Sequence, residues 1–164
     1  MSKKILIGLA LIIILAIGVA LLPSRTIEIK VEHSIQEKTK SIEEIRIEKI
    51  KEYLEKKESP LADHAEKIAS QKHWRLLIAI SHIESQFCKR KIAYNCWGLG
   101  GDSNYQKYTG YSEAIEAANK LIEKFQQRGK WMTVESMMGS YVVPGSPNWR
   151  NTVNGTLEEL KNIE

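Results

Sequence analysis

Apolar and polar positions follow three regimes along the chain. From Ile5 to Leu22 every residue is uncharged and nearly all are apolar, between Lys3-Lys4 and Pro23. A run of this length is short for a bilayer span and long for the core of a cleavable signal. Residues 1–23 therefore read as a transmembrane signal anchor, with cleavage near Gly18-Val19-Ala20 as the alternative. Lys3 and Lys4 hold the amino end inside. The expectation is a single-pass protein of the cell membrane, with everything after Pro23 on the extracytoplasmic side.

The second regime, 24–59, forms a helical stalk or linker in this reading. Thr26 to Glu32 alternates through Ile27, Ile29 and Val31, as a short extended segment would. From Ser34 to Glu58 there is no Gly or Pro, and Ile35, Ile42, Ile45, Ile50, Tyr53 and Leu54 recur at helical intervals among charges. As one helix this stretch would reach roughly 37 Å. It lacks three clean heptads, so a stalk-mediated homodimer is open but not required.

The third regime, 60–164, predicts a mainly α domain. Ser59-Pro60 breaks the preceding helix and favours a new start. Leu61 to Ser70 reads as a short amphipathic helix. Trp74 to Phe87 is apolar on nearly all faces, as a buried central helix is. Ala93 to Tyr111 turns to Gly, Asn, Ser, Asp and Tyr and predicts a loop, with room for a small hairpin. A helix capped by Ser112 follows to Gln127, ended by Gly129. Thr133 to Met138 predicts a short helix, Val142 to Asn148 a loop, and Trp149 to Ile163 a last helix.

Charge changes this picture little. The formal net charge is +4, but two of the 24 basic residues are Lys3 and Lys4, which leaves a near balance with the 20 acidic ones. No basic face interleaved with aromatics is present, so nucleic acid is not the expected partner. Cys88 and Cys96 are the only cysteines. In an exported domain such a pair reads as a disulfide, two unrelated reduced thiols being the alternative. Neither they nor His33, His64, His73 and His82 have metal-ligand spacing, so no metal and no cofactor is expected.

Glu84 is the anomalous residue, a carboxylate near the end of the most apolar helix. Loss of solvation and the negative end of the helix dipole both raise a carboxyl pKa there. A Glu kept protonated near neutrality is what glycosidic cleavage requires, since the leaving oxygen must receive a proton. Taken alone, a helical Glu is more often solvated or salt-bridged. Its context adds to it: Glu84-Ser85-Gln86-Phe87 precedes Tyr94-Asn95-Cys96-Trp97-Gly98-Leu99-Gly100-Gly101, then Tyr105-Gln106-Lys107-Tyr108, Tyr111-Ser112-Glu113 and Tyr141, Pro144, Pro147-Asn148-Trp149. In order and spacing this resembles the lysozyme-like cell-wall hydrolases, above all the bacterial glucosaminidase autolysins and lytic transglycosylases. The likeness covers about residues 60 to 164. More residues separate Tyr141 from the later aromatic than those autolysins usually have.

The resemblance implies a lysozyme-like catalytic domain acting on peptidoglycan glycan strands, at the β-1,4 bond between N-acetylated amino sugars. It implies Glu84 as general acid and Tyr141 across the cleft, steadying substrate or charge. Asn95, Trp97 and Gly98 would line sugar subsites, and Ser85 would support Glu84 at the substrate. Paired-carboxylate glycosidases need a partner roughly 5–9.5 Å from the acid; Asp102 is the best candidate, with Glu113 behind it. One Glu suffices where the substrate's N-acetyl group serves as nucleophile. A hydrolase and a lytic transglycosylase both fit. Outside catalysis, the alternatives are a peptidoglycan-binding module that does not cut and a membrane-tethered scaffold. Trp74, Trp131 and Trp149 fall at helix starts beside apolar stripes and read as core.

Overall fold

In the computed structural model, the described residues are 42–101 and 104–163. The expected anchor, the extended segment, the first part of the stalk and Asp102 lie outside them. The described residues contain no helix long and apolar enough to cross a membrane. They are mainly helical and contain no strand; only two isolated bridges occur, Ile92 with Asn95 and Met138 with Val142. Among the described residues of the Ala93–Tyr111 region there is accordingly no hairpin, only the bridge from Ile92 to Asn95.

Residues 42–56 form helix α1. A 3₁₀ turn (Ala62–His64) leads into α2 (Ala65–Ala69), followed by α3 (Trp74–Ser85), α4 (Tyr111–Gln127), α5 (Val134–Met137) and α6 (Pro147–Glu159), which closes on a 3₁₀ turn (Leu160–Asn162). Helix α4 starts one residue before its expected cap. Gly110 is the extended N-cap, and the Glu113 carboxylate accepts from the Thr109 amide at 2.8 Å and its hydroxyl at 2.7 Å. Helix α6 starts at Pro147, not Trp149. Ser146 caps it, a combination of a hydroxyl at N-cap and Pro at N1 that pre-sets the first turn.

Helix α3 is the centre of the domain. Leu77, Ile78, Ala79 and Ile80 are wholly buried, because neighbours cover every face, α6 most extensively. Each large aliphatic side chain buried this way contributes about 1.5–3 kcal/mol. The compact unit begins at Ile42 rather than Pro60. Ile50 and Leu54 of α1 are wholly buried in the same core, while Ile42 and Ile45 stay exposed. The second half of the expected stalk is thus part of the globule.

Helix α3 ends in an unusual turn. Gln86, Phe87 and Cys88 have φ of 52°, 56° and 69°, each costing roughly 1–2 kcal/mol for a residue other than Gly. Ser85 holds the turn in place. Its hydroxyl faces the carbonyls of Cys96 (2.8 Å) and Ser81 (3.0 Å) and accepts from the Cys88 amide (3.0 Å). Cys88 and Cys96 are joined in a disulfide, with Cα atoms 4.8 Å apart. Replacing both by Ala is expected to lower unfolding free energy by about 2–3 kcal/mol, the loop-closure value for so short a ring. Denaturant melts of the two proteins check this, and an unchanged midpoint would show that packing alone holds the turn.

Candidate active site

Glu84 stands on the last turn of α3, two residues before the left-handed Gln86. Two other segments close on it. From α6, the buried Trp149 donates its indole N–H to Oε1 of Glu84 at 2.8 Å. From the loop after the disulfide comes Gly98, at φ +64°; a Cβ built there would lie 2.9 Å from Oε2 of Glu84. That empty position lets the carboxyl group lie against the loop backbone.

Glu84 as a residue is exposed, yet burial raises its carboxyl pKa above the ordinary value, with the Trp149 hydrogen bond pulling the other way. The two observations agree for a group on the wall of a cleft, open to solvent on one side and surrounded by protein on the others. Burial also pushes the hydroxyls of Tyr141 and Tyr105 up, and in both the negative charge of Glu84 adds to it.

Tyr105 lies on the loop after the disulfide and Tyr141 between α5 and α6. The Tyr141 hydroxyl donates to the carbonyl of Trp97, and its ring packs 5.7 Å from that of Trp149 and 5.2 Å from that of Trp131. The Tyr105 hydroxyl donates to the carbonyl of Asn95 at 3.1 Å. A groove of about 560 Å³ runs from Gly98 and Gly101 past Tyr141 towards Phe125 and Trp131. Gly98, which lines it, is also the residue that packs against Glu84. A pocket of about 290 Å³ between Trp74, Met132 and the other side of Trp131 contains none of the expected site residues.

Three residues expected at the substrate are structural instead. Ser85 is buried, with its hydroxyl committed to backbone groups, and it does not bond Glu84. Asn95 is wholly buried and uses all four of its hydrogen-bonding positions. Its oxygen accepts from the amides of Leu99 (3.0 Å) and Trp97 (3.3 Å), and its NH₂ donates to the carbonyls of Leu99 (2.8 Å) and Gln106 (3.0 Å). Trp97 is buried as well, its indole donating to the Leu77 carbonyl at 2.8 Å. These three shape the loop that presents Gly98, and none offers a free polar atom to a ligand. Glu113 is engaged in capping α4. Gly98 and Tyr141 line the groove.

Trp149 is the residue that sequence reasoning missed. It is core, as its position at a helix start suggested, but its N–H reaches Glu84. A buried indole N–H needs an acceptor, and that requirement was the available signal. Among the described residues no group of three or more His, Cys, Asp or Glu side chains is placed to hold a metal ion. No family model, curated protein or solved structure matches the chain.

Proposed function

We propose that this chain cleaves peptidoglycan glycan strands at the β-1,4 bond between N-acetylated amino sugars, through a lysozyme-like domain. The observation that carries the reading is Glu84: solvent-accessible, raised in pKa by burial, bonded by an indole, and packed against Gly98, which lines a groove. A carboxyl group so held is suited to keep its proton at higher pH than a free Glu and to give it to a leaving glycosidic oxygen. Gly98 and Tyr141 border the path a glycan strand would take. The substrate's own N-acetyl oxygen would then attack the sugar carbon, so that a single Glu serves, first as acid and then as base.

With water as the second reactant the enzyme is an N-acetylglucosaminidase, and with the sugar's 6-hydroxyl a lytic transglycosylase. Residues 1–23, as a single-pass anchor, would hold the domain on the extracytoplasmic side of the cell membrane, beside this substrate. The test is mass spectrometry of muropeptides released from purified sacculi by the full-length chain. Reducing or 1,6-anhydro ends support the reading and distinguish its two forms. A chain that sediments with sacculi and releases nothing is a binding module, and the catalytic reading then fails.

A further inference from the structure

An indole N–H is a donor with no acceptor capacity. In the Trp149–Glu84 contact, Oε1 must therefore act as the acceptor in either protonation state of the carboxyl group. The indole is buried and held on the first turn of a capped helix. Oε2 lies on the opposite side, against Gly98. We propose that Trp149 is a positioning residue that decides which oxygen of Glu84 carries the proton: Oε1 stays bonded to the indole, and the proton resides on Oε2, on the Gly98 side that borders the groove. This rests on the reading of Glu84 as the general acid and assigns its delivering atom.

The other titratable groups coupled to Glu84 leave this assignment alone. Tyr105, on the loop that carries Gly98, and Tyr141, between α5 and α6, are both held neutral by pKa values raised above the ordinary range. Their hydroxyl hydrogens point to the carbonyls of Asn95 and Trp97, so neither competes for a carboxyl oxygen. In the transfer, the proton leaves Oε2 for the glycosidic oxygen as the C–O bond breaks, its electron pair passes to that oxygen, and the substrate's N-acetyl oxygen bonds to the sugar carbon. Glu84 is left as a carboxylate. The indole bond strengthens as its acceptor becomes charged, so Trp149 stabilises Glu84 in the form that has just given up its proton.

The test uses the full-length chain in detergent with ¹⁵N-labelled tryptophan, whose four indole signals are followed from acid to neutral pH. The Trp149 signal is expected to move with one midpoint and to stop moving in E84Q, which keeps every buried ring. A Trp149 signal that is flat in the wild type overturns the proposal. On sacculi, W149F is expected to lower kcat about tenfold through misplacement of the acid, with KM within about twofold. The high-pH limb of kcat should move upward, because the lost donor had favoured the ionised form. An unmoved limb with unchanged kcat also overturns the proposal. If the wild type releases no muropeptides, the acid assignment fails on its own, and the indole titration still decides whether Oε1 is held. Should W149F not fold, the E84Q titration carries the test.

Discussion

Replacing Glu84 by Gln is expected to reduce muropeptide release by about 10²-fold or more, the usual cost of losing a general acid. Gln is isosteric, and its Oε1 still accepts from the Trp149 indole, so the fold should persist. The pH dependence gives a second, independent readout. Burial raises the folded-state pKa of Glu84 above its unfolded value. The associated stabilisation is therefore complete below the unfolded pKa and is lost as pH rises through the folded one. Gln cannot ionise and loses nothing. Thermal melts of E84Q should match the wild type in acid and exceed it at neutral and higher pH. A variant with more than about a tenth of wild-type release would sink the assignment of Glu84. A variant less stable than the wild type at neutral pH would instead contradict the cleft-wall environment.

Gly98→Ala is expected to separate stability from activity. At φ +64° a side chain costs about 1 kcal/mol, and the new methyl group would come 2.9 Å from Oε2 of Glu84. A carboxyl group at the end of a flexible side chain can move away, so the clash is relieved without unfolding. The moving atom is the one assigned to the chemistry. A displacement of this size is expected to lower activity by about 10²-fold, with a thermal midpoint only a few degrees below the wild type. Cleavage by G98A at wild-type rate would mean that Glu84 does its work from another position. The comparison requires only circular dichroism melts and the muropeptide assay side by side.

The extent to which this site was legible depends on the physics behind each residue. Helix α3 was plain because Leu76 to Ile80 leave no polar face, a pattern few contexts other than a buried centre accommodate. Glu84 stood out against it for the same reason. The loop was harder. Asn95 in a Gly-rich stretch looks like a ligand-facing amide, whereas its four bonds organise the loop backbone itself. Composition cannot tell which partner an amide finds, since loop carbonyls and a glycan hydroxyl satisfy it equally. Trp97 and Trp149 were hard to tell apart for a similar reason: both are buried, and only the three-dimensional arrangement says which indole meets a carbonyl and which a carboxyl group. The apolar stripe of α1 was visible too, but a stripe does not name what covers it. Ile50 and Leu54 cover the core of their own domain.

That last point sets where the protein can be cut. A fragment beginning at Pro60, the boundary suggested by the Ser59-Pro60 break, would lack Ile50 and Leu54 and uncover the buried side chains they meet, a recipe for aggregation. It would also lose the Tyr53 hydroxyl and the Lys57 ammonium, which both bond the Glu159 carboxylate of α6 at 2.8 Å. Helix α6 is the element that carries Trp149 to Glu84. Loss of activity in such a truncation would say little about the chemistry at Glu84, because the missing helix is part of the packed domain that holds α6. A soluble version should keep α1 from Ile42 onward.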